Sequence, residues 1–168
     1  GIKILENVYA KSKRKLYAIG FKKEDMPSWM EIIERTDQIK NNSTVLIDEG
    51  GVLFSSRNSM TTPNKLLSQL ILIARHKNLN ILFISQNSSN LDVNILRQAD
   101  HLILKPTSLL QKDFERSKIR DIYQDKEEDF KKHQNVKGCT YIYSEIFTGF
   151  IANPLPSFWS MNISKSFR

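Results

Sequence analysis

The sequence has few of the features that stabilise small secreted or membrane domains. It contains one cysteine, Cys139, so an internal disulfide is excluded, and its Cys and His residues lack the spacing of a zinc finger. No apolar run approaches the roughly 18 residues that a membrane-spanning helix needs. There is also no internal repeat and no low-complexity tract. The class of protein that remains is a soluble one with a single domain and its own hydrophobic core. The lone cysteine indicates a reducing compartment.

A second absence concerns phosphate binding. The pattern G-x-x-x-x-G-K-[ST], whose backbone and lysine grip nucleotide phosphates, occurs nowhere in the 168 residues. The chain also begins with a helical pattern, whereas a nucleotide-binding α/β domain begins with a strand that leads into this loop. The sequence therefore reads as an α/β domain whose first strand and phosphate loop are missing.

Positive charge is in excess, with 25 Lys and Arg residues against 18 Asp and Glu residues and a net charge of +7. The excess is spread along the chain, which is compatible with a nucleic-acid backbone as partner and equally with a merely basic soluble protein. The basic turn with Lys13, Arg14 and Lys15 is a candidate nucleic-acid contact, as is Arg57 in a Gly-rich loop. A solvated turn is the alternative interpretation.

Strand-like and helix-like segments alternate, which predicts an α/β fold with a mainly parallel sheet and helices on both faces. A C-terminal hairpin would add antiparallel strands at one edge. Residues 50–61 read as a loop, and we expect one domain over residues 1–152 followed by a tail, 153–168. The predicted strands cover residues 16–20, 44–48, 80–85, 101–104, 140–143 and 147–151, and the predicted helices cover 2–13, 28–40, 63–76, 92–98 and 108–133.

Polar side chains follow two of the predicted parallel strands. Asp48 and Glu49 close an apolar strand, and Gln86 closes the next strand in the chain. Ligands bind at the carboxyl ends of strands in open α/β sheets. In phosphoryl transfer one carboxylate helps to hold magnesium, and a neighbour orients or deprotonates the attacking water. The pattern therefore predicts a phosphate-handling site, against the alternative of a strand that happens to end in acidic residues.

Two arginines are further candidates. Arg75 lies at the end of the helix over residues 63–76, where it contacts a phosphate or the carboxylates, or simply caps the helix through its dipole. Arg97 precedes the strand over residues 101–104, which we expect to be the last parallel strand. It could reach the nucleotide of a neighbouring subunit.

These residues carry a family resemblance over about residues 15–105. The segment Val45-Leu46-Ile47-Asp48-Glu49 resembles the Walker B strand of P-loop ATPases. With the segments 74–77, 81–86 and 92–100, in this order and spacing, the chain resembles the FtsK–HerA superfamily. Within that superfamily it is similar to the zonular-occludens-toxin-like and viral genome-packaging ATPases.

The resemblance implies a RecA-like core, ATP and Mg²⁺ as cofactors, a homo-oligomeric ring and DNA as the substrate that is moved. It implies that Asp48 holds Mg²⁺ directly or through water, that Glu49 is the catalytic base and that Gln86 is a sensor. Arg75 and Arg97 would contact phosphate or a neighbouring subunit. We accordingly expect a cytoplasmic protein of viral, phage or mobile-element type, in the host cytoplasm or associated with a virion.

Three hypotheses stay open at this point. In the first, the chain is the ATPase core of a DNA-translocating or packaging motor, and the phosphate loop falls at or just before Gly1. In the second, it is a RecA-like module that no longer hydrolyses ATP and binds DNA or protein partners. The third, an unrelated flavodoxin-like nucleotide binder, leaves the acidic pair at the strand end unexplained. In either of the first two cases, we expect the 168 residues alone to be almost inactive.

Overall fold

The computed structural model describes residues 1–55, 62–133, 135, 136 and 138–165. Two compact units are present. The first comprises Gly1–Gln86 and the chain from Pro156 onward, and the second comprises Asn87–Leu155. The predicted nucleic-acid residue Arg57 lies outside the described residues. Within those residues, no helix is both long and apolar enough to cross a membrane.

The first unit contains a four-stranded parallel sheet in the order β2-β1-β3-β4, which confirms the predicted parallel α/β architecture and is consistent with a RecA-like fold. The first part of the unit runs through helix α1 (Ile2–Lys11), strands β1 (Lys15–Ile19), β2 (Glu31–Ile32) and β3 (Ser43–Asp48). It continues with helices α2 (Glu49–Ser55) and α3 (Pro63–Lys77) and strand β4 (Asn80–Ile84).

Strand β3 is paired with a strand on each side, and its side chains are apolar on both faces of the sheet. Leu46 packs with Leu16 and Ala18 of β1 against Leu5 of α1. Val45 and Ile47, which alternate with Leu46 and so point to the other face, are fully buried as well. An apolar run of this kind is typical of a parallel strand covered on both sides.

Helix α3 forms as the sequence predicts. The Thr62 Oγ1 atom accepts a hydrogen bond from the backbone N–H of Lys65 at 3.3 Å, and Pro63 occupies the first turn. Asn78 ends the helix in the left-handed conformation, with φ of 51°. The apolar face buries Leu66, Leu67 and Leu70.

The helix predicted over residues 28–40 is wrong. Instead, Glu31–Ile32 forms β2 and pairs in parallel with β1, and the Ile33 N–H donates to the Ala18 carbonyl at 3.0 Å. Thr36–Gln38 forms only a 3-10 turn. The open edge of β1 offers backbone hydrogen bonds that the local capping signal does not reveal, and tertiary pairing overrides helix propensity here.

The loop predicted from residue 50 is also wrong over its first part, because α2 follows β3 directly. Gly50 and Gly51 read as helix breakers. A Cβ atom on Gly51 would lie 1.9 Å from the carbonyl oxygen of Gly20, at the end of β1. Position 51 therefore needs a glycine because the α2 and β1 backbones are in close contact there, and the helix forms in spite of it.

The second unit contains helices α4 (Val93–Arg97), α5 (Leu109–Asp113), α6 (Ser117–Asp125) and α7 (Glu127–His133) and a three-stranded antiparallel sheet. Its strands are β5 (His101–Leu104), β6 (Cys139–Ser144) and β7 (Thr148–Ala152), in that order. The predicted hairpin is confirmed as β6 and β7, but it pairs with β5 in this separate sheet and does not extend an edge of the parallel sheet, as the sequence had suggested. Helix α8 (Met161–Lys165) belongs to the first unit.

Two further predictions about this region are wrong. Strand β5 is antiparallel to β6 and is not a further parallel strand. The reason is its apolar face, since Leu104 is buried in one core with Tyr141, Phe130 and Ile122. The predicted helix over residues 108–133 is divided into α5, α6 and α7.

Candidate functional site

The carboxyl edge of the parallel sheet brings three of the predicted site residues together. Asp48 is the last residue of β3, and Glu49 is the first residue of α2. Asp48 lies level with Ile84 at the end of β4, so Ser85 and Gln86 follow at the same edge. The neighbouring positions that the sequence predicted for these strand ends are thus present in the fold.

Glu49 is held by hydrogen bonds from the neighbouring strand end. Its side chain is 5% exposed, and its Oε2 atom accepts from the Ser85 hydroxyl at 2.5 Å and from the Gln86 N–H at 3.3 Å. A buried carboxylate needs such donors, because an uncompensated charge away from water is strongly unfavourable. The two donors fix the orientation of this carboxylate between β3 and β4.

Asp48 has different surroundings. Burial raises the pKa of this half-buried carboxyl, and the hydrogen bond from the Gly50 N–H, 3.2 Å from Oδ1, partly opposes that shift. The adjacent negative charge of Glu49 raises the pKa of Asp48 further. A cation next to the two carboxylates would offset both the cost of burying Asp48 and the repulsion between Asp48 and Glu49.

The beginning of α1 lies over the same edge. A Cβ atom on Gly1 would be 2.6 Å from the Leu46 Cδ1 atom and 2.7 Å from the Ile84 Cδ1 atom, so the helix starts over the face of the sheet at these two side chains, toward the carboxyl ends of β3 and β4. Backbone N–H groups in the first turn of a helix have no intrahelical acceptor and favour anions. A positive helix end and two carboxylates therefore lie side by side.

Ser85 was missed as a site residue by sequence reasoning. Its position directly after an apolar strand was visible, but a polar residue closes most strands. Only the hydrogen bond to Glu49, across 36 residues of sequence, identifies its role in holding the carboxylate.

The structure does not bring Arg75 to the carboxylates within one chain. Arg75 lies in the last turn of α3, which leads into the amino-terminal end of β4, whereas Asp48 lies level with the other end of that strand. Five residues of strand span roughly 13 Å. Arg97 ends α4 in the second unit, where it lines a groove of about 400 Å³ with Val93 and Lys118. The predicted roles of Arg75 and Arg97 toward a neighbouring subunit stay predictions.

Among the predicted nucleic-acid residues, Arg14 has a structural role. Its guanidinium donates to the Ser43 carbonyl at 3.1 Å and to the Asn78 carbonyl at 2.8 Å, and thereby connects the starts of three strands. Lys13 and Lys15 flank it and are exposed.

One comparison with known proteins decides the family. The family described as zonular occludens toxin (Zot) matches residues 1–105. The chain belongs to the Zot family. This family is one of P-loop ATPase-like proteins, so the resemblance seen in the sequence is correct at that level. The searches of curated proteins and of solved structures each found no match.

The matched part of this Zot-family chain covers every element from α1 to β5 and thus the whole carboxyl edge described above. Within the described residues, no group of three or more Asp, Glu, His and Cys is placed to enclose a metal ion. A single carboxylate such as Asp48 nevertheless suits Mg²⁺, which keeps several waters and is bound through one or two carboxylates together with substrate phosphates.

Proposed function

We propose that this chain is the core of an ATP-hydrolysing motor domain that moves or packages DNA, of viral, phage or mobile-element type. The observation that carries the proposal is the carboxyl edge of the sheet. Glu49 is held there by Ser85 and Gln86, and Asp48 lies beside it at the end of β3, on the edge toward which α1 begins. Membership of a P-loop ATPase-like family supports the same chemistry.

The residues present have distinct roles in this proposal. Mg²⁺, when bound with ATP, neutralises phosphate charge, and Asp48 would hold it directly or through water. Glu49 orients the attacking water and accepts its proton, as the carboxylate whose position is fixed by two donors. The first turn of α1 faces the anionic phosphates. Gln86 follows the end of β4, and its backbone N–H links that strand end to the Glu49 carboxylate.

The pattern G-x-x-x-x-G-K-[ST] is absent from these residues, so the proposal needs a phosphate grip from a further segment, and the edge of β4 offers a place for one. Ile81, Leu82, Phe83 and Ile84 are apolar on both faces yet only half-buried, and β4 is an edge strand among the described residues. A further parallel strand paired with β4 would bury them. If that strand led into α1, its connecting loop would lie beside Asp48.

The decisive experiment compares ATP hydrolysis by the full-length gene product with and without Mg²⁺. We expect Mg²⁺-dependent turnover that falls at least about 100-fold in the Glu49→Gln variant, because a positioned general base contributes roughly 10²–10⁴. Nucleotide binding, measured with a fluorescent ATP analogue, should be retained in that variant. Glu34→Gln, an exposed carboxylate in the same unit, is the matched control and should hydrolyse ATP as the wild type does.

Other outcomes separate the alternatives. Turnover that survives Glu49→Gln would contradict the role of this carboxylate. A full-length protein that binds DNA without hydrolysing ATP would favour the second hypothesis, a RecA-like module that binds DNA or protein partners.

A further inference from the structure

The amino-terminal edge of the parallel sheet, opposite the proposed nucleotide site, is built as a rigid platform. The Arg14 guanidinium connects the segments that precede β3 and β4, through the Ser43 carbonyl and the carbonyl and Oδ1 atoms of Asn78. The Asn78 Nδ2 atom donates to the Asn42 Oδ1 atom at 2.8 Å, and the Asn42 N–H donates to the Lys77 carbonyl at 2.8 Å. Three chain segments, 13–15, 40–43 and 77–80, are thus fixed against one another.

Three lysines lie on this platform, and we name them the basic rim: Lys13, Lys15 and Lys40. All three are exposed. Lys13 and Lys15 flank Arg14 in sequence, and Lys40 precedes β3. The Lys15 and Lys40 side chains approach each other closely, and this approach lowers the pKa of Lys15. The fold therefore places two like charges side by side at this edge of the sheet.

Carboxylates do not neutralise the basic rim. In the part of the chain that the structure describes, no Asp or Glu oxygen lies within ion-pair distance of Lys13, Lys15 or Lys40. Glu31 at the start of β2 acts on Lys15 at longer range, and its effect on the Lys15 pKa is weaker than that of Lys40. The excess positive charge at this edge is left for an external anion.

We propose that the basic rim binds the phosphate backbone of nucleic acid through Lys13, Lys15 and Lys40. A phosphate placed between Lys15 and Lys40 would turn their repulsion into two favourable contacts, and lysine acts on phosphate as a point charge. This inference rests on the DNA partner of the proposed function and adds the surface that would hold that DNA. The contact does not require a nucleotide at the other edge.

The chemistry of the surrounding surface favours nucleic acid over a membrane. The segments 13–15, 40–43 and 77–80 expose lysine and asparagine side chains and no large apolar side chain. A membrane-binding surface needs apolar side chains to enter the acyl region as well as cations. Exposed Asn41, Asn42 and Asn80 add amide groups of the kind that contact phosphate and sugar.

The test measures binding of the 168-residue chain to fluorescein-labelled single-stranded and duplex DNA of about 20 nucleotides or base pairs by anisotropy, at about 50 to 200 mM salt. For the variant with Lys13→Ala, Lys15→Ala and Lys40→Ala, we expect at least about a 10-fold loss of affinity. The slope of log K against log salt should fall by about 2 to 3, because three phosphate contacts are removed.

A matched triple variant controls for net charge. Lys22→Ala, Lys23→Ala and Lys65→Ala remove the same charge from exposed positions at the other ends of the same elements, after β1 and in the first turn of α3. We expect this control to keep its affinity within about two-fold. Equal losses in both variants would mean that only the overall charge matters and would overturn the proposal.

Two further readouts complete the design. Circular dichroism melting should show the rim variant folded and at least as stable as the wild type, since a repulsive contact is removed. Rim-dependent binding to phosphatidylserine vesicles without DNA binding would overturn the proposal in favour of a membrane contact. Failure of any of these tests leaves the hydrolysis assay unaffected, because that assay reports on the opposite edge.

Discussion

At the scale of single residues, the two adjacent carboxylates differ in what surrounds them. The Glu49 carboxylate is buried and receives two hydrogen bonds from the end of β4, which hold it in one orientation. Asp48 is half-buried and receives one hydrogen bond, from the Gly50 N–H. A fixed carboxylate suits proton transfer, whereas one that is partly desolvated, beside a like charge, suits a cation.

The raised pKa of Asp48 predicts a stability effect with a defined sign. A carboxyl whose pKa is raised by folding contributes fully below its unfolded pKa, and that contribution is lost as pH rises through the folded pKa. In the absence of Mg²⁺, Asp48→Asn should therefore be more stable than the wild type at pH 7, and the difference should vanish as pH falls below about 4. Urea unfolding followed by tryptophan fluorescence measures this in the first unit, which contains both tryptophans.

Asp121→Asn, at an exposed position of α6, is the control for this experiment and should leave the unfolding free energy of the first unit unchanged at both pH values. A second measurement adds Mg²⁺. Any stabilisation of the wild type by Mg²⁺ should weaken as pH falls, since protons compete for Asp48, and it should be absent in Asp48→Asn. Destabilisation of Asp48→Asn at pH 7 without Mg²⁺ would contradict the assignment.

At the scale of secondary structure, the approach of α2 to the end of β1 positions the carboxylates. Gly20 has a φ of 87°, and a Cβ atom there would lie 2.7 Å from the Asp48 carbonyl oxygen. A Cβ atom on Gly51 would lie even closer to Gly20, at 1.9 Å from its carbonyl oxygen. The start of α2, and with it Glu49, can therefore lie against β1 only because two glycines meet.

Paired alanine substitutions test this contact. Gly51→Ala should lower the unfolding free energy by about 1–3 kcal/mol, because the new Cβ must displace the Gly20 backbone. Gly50→Ala is the matched control, since its Cβ would lie an ordinary 3.7 Å from the Asp48 Oδ1 atom. It should be neutral or about 0.5–1 kcal/mol more stable, because alanine favours the helix. Equal effects of the two substitutions, measured by urea unfolding, would show that helix propensity alone decides.

Elements with local signals could be predicted from the sequence, and elements that depend on tertiary contacts could not. Helix α3 is specified by its cap at Thr62, by Pro63 and by the spacing of its leucines. By contrast, β2 depends on the free edge of β1, and α2 depends on the contact between Gly51 and Gly20. The strand ends predicted the positions of Asp48, Glu49 and Gln86. The Ser85 hydrogen bond and the approach of Lys15 to Lys40 arise from distant segments that only the fold brings together.

At the scale of the whole molecule, the family match and the structural units have different boundaries. The Zot match ends at residue 105, directly after β5, which lies inside the second unit. Leu104 of β5 is buried with Tyr141 of β6, beyond the match. The sequence after residue 105 therefore completes the core that the last matched strand begins. Our prediction of one domain over residues 1–152 with a tail over 153–168 stays untested.

The last prediction compares the 168-residue chain with the full-length gene product. Without the phosphate-gripping loop, the chain alone should hydrolyse ATP far more slowly than about 1 per second, a low value for enzymes. In the full-length protein, amide hydrogen exchange in β4 should be slower than in the chain alone, because a paired strand protects N–H groups that an open edge exposes. Amides of β3, which is paired on both sides already, serve as the internal control. Turnover of about 1 per second or more by the chain alone would show that its own residues grip the phosphates, and unchanged exchange in β4 would rule out a further strand at that edge.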